Sequence, residues 1–309
     1  MCRWTSPSLL MRAASVGILA VGLLAFARDL LAQQQPPAGV LDQVALDYQL
    51  ASQAWVARVL TVTTDLFFWL ALLEFVVAGI MFMIASPQTR DATTGRFLLK
   101  IMLISLVYML ITQSDYWLTA LINSFAGVGE YVLGTIMSPS EIVGYGSVLS
   151  AAILRSVDLI GMLQNPPVVI YMTFTAFIVM LCYILIAVQV VLTLVQSYIL
   201  LSAGIFFLAF GAFRTTASLA ENYLLACVHV GIKLMILYFV IALGEPLTRT
   251  WAAVLRNDSF FSTDIGPIIE VFSGVAILAF IVWYIPNKVA GQITGGASLG
   301  LTAAMRSSS

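Results

Sequence analysis

Charged residues are scarce in this sequence of 309 residues. Only 9% of the residues are charged, whereas 61% are hydrophobic and the mean hydropathy is +1.01. A soluble domain usually carries about 25% charged residues, and so few charges cannot cover a surface that faces water. The composition therefore excludes an ordinary soluble enzyme and predicts an all-α, polytopic helical membrane protein. The formal net charge of -1 also argues against direct, sequence-specific binding of nucleic acid.

Residues that usually mark catalysis or a metal site are missing. There is a single histidine, His229, and no HExxH, GxSxG or phosphate-binding GxxxxGK[ST] motif. Cys182 and Cys227 lie inside apolar runs and are typical of small buried hydrophobic residues rather than of a disulfide or a metal pair. We therefore expect no enzyme activity, no cofactor and no metal.

The N-terminus has the pattern of a secretory signal peptide. Arg3 and Arg12 precede an apolar stretch, Ala13 to Ala27, and small residues allow cleavage after Ala27 or Ala32. An uncleaved signal anchor is the alternative. We assign residues 1–32 to the signal peptide, which would place the following N-terminus outside the cytoplasm.

Residues 33–62 form a predicted periplasmic amphipathic segment. From Val40 to Leu60, apolar residues recur at steps of three and four with polar residues between them. This pattern predicts a helix that lies on the outer membrane surface, against a partner helix, or against the rest of the protein.

Residues 63–112 predict the first transmembrane hairpin. The first span is Thr63–Ala85, whose roughly 20 apolar residues match a hydrocarbon layer of about 30 Å, and the second is Phe97–Thr112 or slightly longer. The loop Ser86–Arg96 is short and basic, which predicts a cytoplasmic position by the positive-inside rule.

Residues 113–167 are less apolar and predict a periplasmic or interfacial section. We expect helices over about Trp117–Ile136 and Ser140–Leu163. Ser138 is suited to cap the second helix and Pro139 to its first position.

Residues 168–285 predict a C-terminal transmembrane bundle. Val168–Phe213 contains no charged residue, and as one helix it would be about 69 Å long, too long for a single crossing. It is therefore either two spans or one long span followed by an apolar piece. Asn222–Leu243 and Ile268–Ile285 predict two more spans around a polar stretch, Gly244–Gly266, and residues 286–309 predict a flexible cytoplasmic tail.

The distribution of basic residues favours five spans over six. With five spans, six basic residues lie inside and four outside, whereas six spans give five on each side. The inside set is then Arg90, Arg96, Lys100, Arg214, Lys288 and Arg306, and the outside set is Arg58, Arg155, Arg249 and Arg256.

Ionisable residues within the predicted spans are candidates for functional sites, because each costs about 2.5–3.5 kcal/mol at the bilayer centre. The four candidates for the bundle interior are Glu74, Lys100, His229 and Lys233. They would line a conduit or a proton path. The structural alternative is pairing, such as Glu74 with Lys100 or Lys233, or snorkelling of Lys100 to the membrane surface.

Three short motifs stand out in the second half of the chain. They are AGIFFLAFGAFR at residues 203–214, AENY at residues 220–223 and Ile285-Pro286-Asn287 at the end of the last span. Before them come a signal peptide, two spans around a short basic loop, a long external section and a long apolar block. Together these features resemble the TrbL family of conjugative transfer and type IV secretion proteins, and the similarity covers most of the chain from about Leu60 to Gly300.

The resemblance implies an inner-membrane channel or scaffold subunit without catalysis of its own. It also implies a homo-oligomer that works with other type IV secretion subunits, including separate ATPases and a periplasmic pilus-base or minor-pilin protein. The substrate would be DNA–protein complexes or effector proteins. A stand-alone secondary transporter or small-solute channel is the alternative function.

Overall fold

The computed structural model describes residues 39–84, 90–133, 138–155, 166–257 and 266–295. These ranges contain α-helices and one 3-10 helix, and no strand occurs among them. The elements are α1 (Val40–Ile84), α2 (Arg90–Thr112), α3 (Ser114–Leu133), α4 (Pro139–Arg155), α5 (Pro166–Ala203), the 3-10 helix (Gly204–Ala212), α6 (Ala217–Asn257) and α7 (Gly266–Thr294).

Within the described residues, four helices are long and apolar enough to cross a membrane. They correspond to Val40–Met81, Tyr171–Ala212, Ala217–Leu255 and Gly266–Thr294. A fifth span results if Lys100–Thr112 and Tyr116–Gly129, which meet at an angle of 72°, count as one. The prediction of an all-α, polytopic membrane protein is therefore confirmed.

Helix α1 continues through the boundary that we expected near residue 62. It is one helix of 45 residues, about 67 Å long at 1.5 Å per residue. The reason is local, because no glycine or proline interrupts the chain between Gly39 and Gly79. The amphipathic segment and the first predicted span thus form one continuous helix.

The uncharged block from residue 168 to 213 forms one rod. Helix α5 has 38 residues, and the nine-residue 3-10 helix follows it directly. Of the two arrangements that the sequence allowed, the structure has the long helix followed by a short apolar piece. The inner side of that piece is buried at Ile205, Leu208 and Ala209.

Helix α4 begins as its sequence predicted. The backbone N–H of Glu141 donates to Ser138 Oγ at 3.2 Å, and the backbone N–H of Ser138 donates to Glu141 Oε2 at 3.0 Å. This reciprocal pair is a capping box, with Pro139 at the first helical position. Asp42 joins this end to α1, since its Oδ1 accepts the N–H of Ser140 at 3.2 Å while Oδ2 accepts that of Gly39 at 3.0 Å.

Helices α6 and α7 extend beyond the spans expected for them, and both contain a proline. Helix α6 continues through Pro246 to Asn257 because its last turns remain packed, with Ala252 and Leu255 buried. Helix α7 continues through the buried Pro286, although we expected a flexible tail there, because the following turns still pack against the bundle.

The helices pack around two principal clusters of buried hydrophobic residues. The larger combines α4, most of α5, the second half of α6 and α7, and includes Leu149, Val179 and Ile268. The smaller combines α1, α2, the start of α3, the 3-10 helix and the start of α6, and includes Ile111 and Leu208. Helix α3 lies along α6, and α4 lies along α5.

Several predicted features lie outside the described residues. These are the signal peptide 1–32, the first residues of the basic loop at 86–89, the end of the external section at 156–165, part of the polar stretch at 258–265 and the tail from residue 296 onwards.

Two glycines in α4 provide a matched test of its packing on α5. A Cβ at Gly146 would lie 2.5 Å from Tyr183 Cβ, whereas a Cβ at Gly144 would meet nothing within 4 Å. We expect Gly146→Ala to lower the free energy of unfolding by about 1–3 kcal/mol because it overpacks the contact. Gly144→Ala should be neutral or stabilising by up to about 1 kcal/mol. Thermal unfolding in detergent measures both, and equal effects of the two substitutions would contradict the packing.

Candidate functional site: buried polar groups of the helical bundle

The structure brings together Glu74 of α1 and Lys100 of α2. Lys100 Nζ lies 2.7 Å from Glu74 Oε1, and the two side chains are 4% and 0% exposed, respectively. An unpaired charge at such a site would carry a desolvation cost of several kcal/mol. The pair therefore holds the α1–α2 hairpin together without leaving a buried charge unmatched. The sequence allowed either Lys100 or Lys233 as the partner of Glu74, and in the structure the partner is Lys100.

Glu74 also reaches the connection between α5 and α6. Its Oε2 accepts the backbone N–H of Arg214 at 3.3 Å. The hydroxyl of Thr216 closes the same turn by donating to the carbonyl of Phe210 at 3.0 Å. One carboxylate thus joins three parts of the chain, namely α1, α2 and the turn that follows the 3-10 helix.

Lys233 lies apart from that ion pair, on α6. It is buried, and its Nζ donates to the Oε1 atom of Gln196 on α5 at 3.3 Å. An amide oxygen compensates a buried ammonium group less well than a carboxylate does. Among the described side chains, Lys233 has no salt bridge. It is thus a buried cation held between two helices by one neutral acceptor.

His229 is half-buried and faces α7. Its Nδ1 lies 2.9 Å from the Oγ1 atom of Thr294, which in turn donates to the carbonyl of Ala290 at 2.8 Å. His229 and Lys233 are four residues apart on α6, but they contact different neighbouring helices. The structure therefore does not unite the four candidate residues in one site.

Three serine and threonine hydroxyl groups on α5 are satisfied within their own helix. Thr193 Oγ1 donates to the carbonyl of Gln189 at 2.9 Å, Ser197 Oγ to that of Leu194 at 2.6 Å, and Ser202 Oγ to that of Tyr198 at 2.9 Å. Hydroxyls bonded in this way need no water or ligand.

A second polar cluster, between α4 and α6, was not among the predicted sites. Glu245 Oε1 accepts from the hydroxyl of Tyr145 at 3.1 Å and from the guanidinium of Arg249 at 2.5 Å. Tyr183 and Thr248 share a buried hydroxyl contact of 2.5 Å nearby. The sequence signal was present, since Glu245 and Arg249 have the spacing of a helical ion pair, but both fell in a stretch assigned to a polar connection.

A small cavity, partly open to the outside, lies beside this cluster, between α4, α5, α6 and α7. Tyr145, Tyr183, Glu245 and Thr248 form its polar side, and isoleucine, leucine and valine side chains complete the lining. The polar groups already bond to one another, so the cavity offers mainly apolar surface. Within the described part of the chain, no three histidine, cysteine, aspartate or glutamate side chains come together as a metal site would require.

The Glu74–Lys100 pair can be tested by comparing single and double replacements. We expect Glu74→Leu to lower the free energy of unfolding by about 3–5 kcal/mol, because it leaves the Lys100 ammonium buried and unmatched. Replacing both residues with leucine should recover most of the lost stability, because no buried charge remains. We expect the double variant to stay about 1 kcal/mol below the unsubstituted protein, since the hydrogen bond to Arg214 is lost. Unfolding in detergent measures the free energy of unfolding of the unsubstituted protein and of the two variants. A double variant that is less stable than Glu74→Leu would contradict the ion pair.

Comparison with known proteins identifies one family and two similar proteins, all described as conjugal transfer proteins. The TrbL/VirB6 plasmid conjugal transfer protein family matches residues 71–285. A probable conjugal transfer protein TrbL of Sinorhizobium fredii (strain NBRC 101917 / NGR234) is 24% identical over 264 residues, which cover 84% of this chain and 65% of the relative. A conjugal transfer protein TrbL of Rhizobium radiobacter is 24% identical over 298 residues, covering 96% of this chain and 71% of that protein.

The chain thus spans less than two thirds of the length of the first of these relatives. No solved structure matches it. The family match begins three residues before Glu74 and ends at the last predicted span, so it contains all four candidate residues and most of the described helices. The chain belongs to the TrbL/VirB6 family of plasmid conjugal transfer proteins.

Proposed function

We propose that this protein is an inner-membrane channel or scaffold subunit of a conjugative transfer or type IV secretion apparatus. The observation that carries the proposal is the family match over residues 71–285, which includes nearly all of both hydrophobic clusters and the Glu74, Lys100 and Lys233 contacts. The cargo would be DNA–protein complexes or effector proteins. Energy would come from separate ATPases, and the chain itself would have no catalytic activity.

Contacts of Glu74 support the proposal that several basic residues lie towards the same end of the bundle. Glu74, ten residues before the end of α1, contacts both Lys100 and the backbone of Arg214. The turn after the 3-10 helix therefore lies near the end of the bundle that carries the basic loop. By the positive-inside rule, that end would be cytoplasmic. We accordingly propose a periplasmic N-terminus and a cytoplasmic C-terminus.

The internal contacts favour a scaffold whose conduit forms between subunits. Glu74, Lys100 and Lys233 all have partners inside the same chain. The outward face of α7, by contrast, exposes Phe280, Trp283 and other large apolar side chains. Such a face suits lipid or another apolar helix, so we propose a homo-oligomer embedded in the bilayer. Residues 113–167 would meet a periplasmic pilus-base or minor-pilin protein.

The proposal can be tested by purifying the tagged protein from its host in mild detergent and identifying the proteins that accompany it. We expect secretion ATPases and periplasmic components of the apparatus. A compact homo-oligomer without such partners would contradict the proposal and favour the alternative of a stand-alone transporter or small-solute channel. Capture from cells that lack the other transfer genes serves as the control.

Lys233 allows a test of the buried polar contacts in transfer itself. Lys233→Leu removes the hydrogen bond from α6 to Gln196 on α5, and we expect a lower frequency of conjugative transfer because a buried polar contact between two central helices is lost. Lys288 on α7 is exposed and provides the matched control. Cells that carry Lys288→Leu should therefore show a normal frequency of conjugative transfer. Normal transfer by Lys233→Leu at an unchanged protein level would count against a role for this residue.

A further inference from the structure

Helix α1 carries an apolar stripe in its first half that the rest of the chain leaves uncovered. The side chains of this stripe are 38–56% exposed, and they are Val44, Tyr48, Trp55 and Val62. They recur at steps of four and seven residues, which places them on one side of the helix. The bundle covers a different side of the same helix, at Ala45 and Ser52.

Two charged side chains lie beside this stripe. Asp47 and Arg58 are both exposed and lie about three helical turns apart, so they share one side of α1. Lipid suits such a surface poorly, because charges are destabilised in hydrocarbon. Water suits it poorly as well, because aromatic and aliphatic side chains lie between the charges. Apolar residues bordered by charges are typical of a contact with another protein helix.

The last turns of α7 carry a second surface of this kind. The rings of Phe280 and Tyr284 stack with an angle of 8° between their planes, and the two side chains are 66% and 50% exposed. Asn287 and Lys288 are exposed one turn further on. A Cβ at Gly291 would meet nothing within 4 Å, so another helix can approach the backbone closely here.

Contacts of α4 give the level of the α1 surface in the bundle. Asp42 of α1 accepts the N–H of Ser140 at the start of α4. Gly146 of α4 packs against Tyr183 of α5, and these two helices are antiparallel. The start of α1 therefore lies beside about residue 189 of α5, six residues beyond Tyr183. Helix α1 then runs in the same direction as α5, since its other end contacts the turn after the 3-10 helix.

Contacts of α6 give the level of the α7 surface. Thr294 of α7 lies beside His229 of α6. Lys233, one turn further along α6, contacts Gln196 of the antiparallel helix α5. The end of α7 therefore lies beside about residue 200 of α5. Helix α7 is antiparallel to α6 and so runs in the same direction as α5.

The two surfaces thus lie at one level and carry opposite charges. Asp47 and Lys288 both lie beside about residue 194 of α5, on different helices. We propose that the last turns of α7 in one copy of the chain pack on the first half of α1 in the next copy, with Lys288 beside Asp47. This inference rests on the proposed homo-oligomer and names the interface within it.

Such a contact joins two different surfaces at one level. Rotation about an axis along the bundle therefore repeats it from copy to copy and generates a ring where the rotation closes. The ion pair lies at the exposed rim of the contact, where charges set the register more than the affinity. Loss of Lys288 alone consequently leaves the apolar contact in place.

Disulfide cross-linking of the full chain in membranes tests this interface. Ala51 and Gly291 are exposed at nearly the same level, one on each of the two surfaces. In a background without native cysteines, Ala51→Cys and Gly291→Cys in one chain should give a ladder of covalent dimers, trimers and larger species after mild oxidation. Each single variant should give no species larger than a dimer, because one cysteine forms one bond.

Gln53→Cys combined with Gly291→Cys is the matched control. Gln53 is also exposed at nearly the same level, but it lies about 200° around α1 from Ala51. We expect no ladder from this pair. Equal ladders from both pairs would indicate random collision and would overturn the proposal.

Exchange of the two charges tests the register. Asp47→Lys in the chain with Ala51→Cys and Gly291→Cys should lower the yield of the ladder, because it brings two ammonium groups together. Lys288→Asp in the same chain should restore the yield. A yield that neither change alters would overturn the placement of Lys288 beside Asp47.

The mass of the unoxidised protein in mild detergent separates this proposal from the homo-oligomer on which it rests. An oligomer that gives no ladder with Ala51→Cys and Gly291→Cys would overturn the interface and leave the homo-oligomer standing. A monomer without a ladder would overturn both. Neither result depends on whether secretion ATPases accompany the protein.

Discussion

Helix α5 is the element on which the rest of the bundle depends, because a long helix without charged residues must be covered by lipid or by protein. Helices α1, α4, α6 and α7 all pack against it. Its inner positions Val179, Ala187 and Val190 are completely buried. Polar contacts then set the register of the neighbours, with Ser150 of α4 donating to the carbonyl of Ala176 at 3.0 Å. The apolar character of one segment thus dictates the arrangement of the others.

Charges inside the bundle follow from the same constraint. Glu74 and Lys100 form a buried ion pair whose opposite charges cancel. The hairpin of α1 and α2 can therefore have an apolar surface without an unpaired charge in its interior. Lys233 has a neutral amide as its partner, which makes its site less well compensated. The family match includes both sites. Buried polar contacts with satisfied partners make the packing of helices specific, because they favour one register over others.

The sequence predicted the class of fold because hydrophobicity alone decides it. It also predicted the start of α4, since the capping residues Ser138 and Glu141 act locally. Helix ends were harder to predict, because tertiary packing carries α6 past Pro246 and α7 past Pro286. The choice of Lys100 over Lys233 as the partner of Glu74 depends on how distant helices meet, which periodicity does not encode. Glu245 was missed because it fell in a stretch assigned to a polar connection, and its contact with Tyr145 joins residues 100 positions apart.

We propose that the uncharged block crosses the membrane once, as a single rod, which gives five spans. Labelling of Ser259→Cys with an impermeant thiol reagent tests it most directly, because this position follows α6 on the side that would be periplasmic. In a background without native cysteines, we expect labelling of intact cells whose outer membrane has been made permeable. Labelling only after the inner membrane is broken would contradict the single crossing and indicate that the block crosses twice.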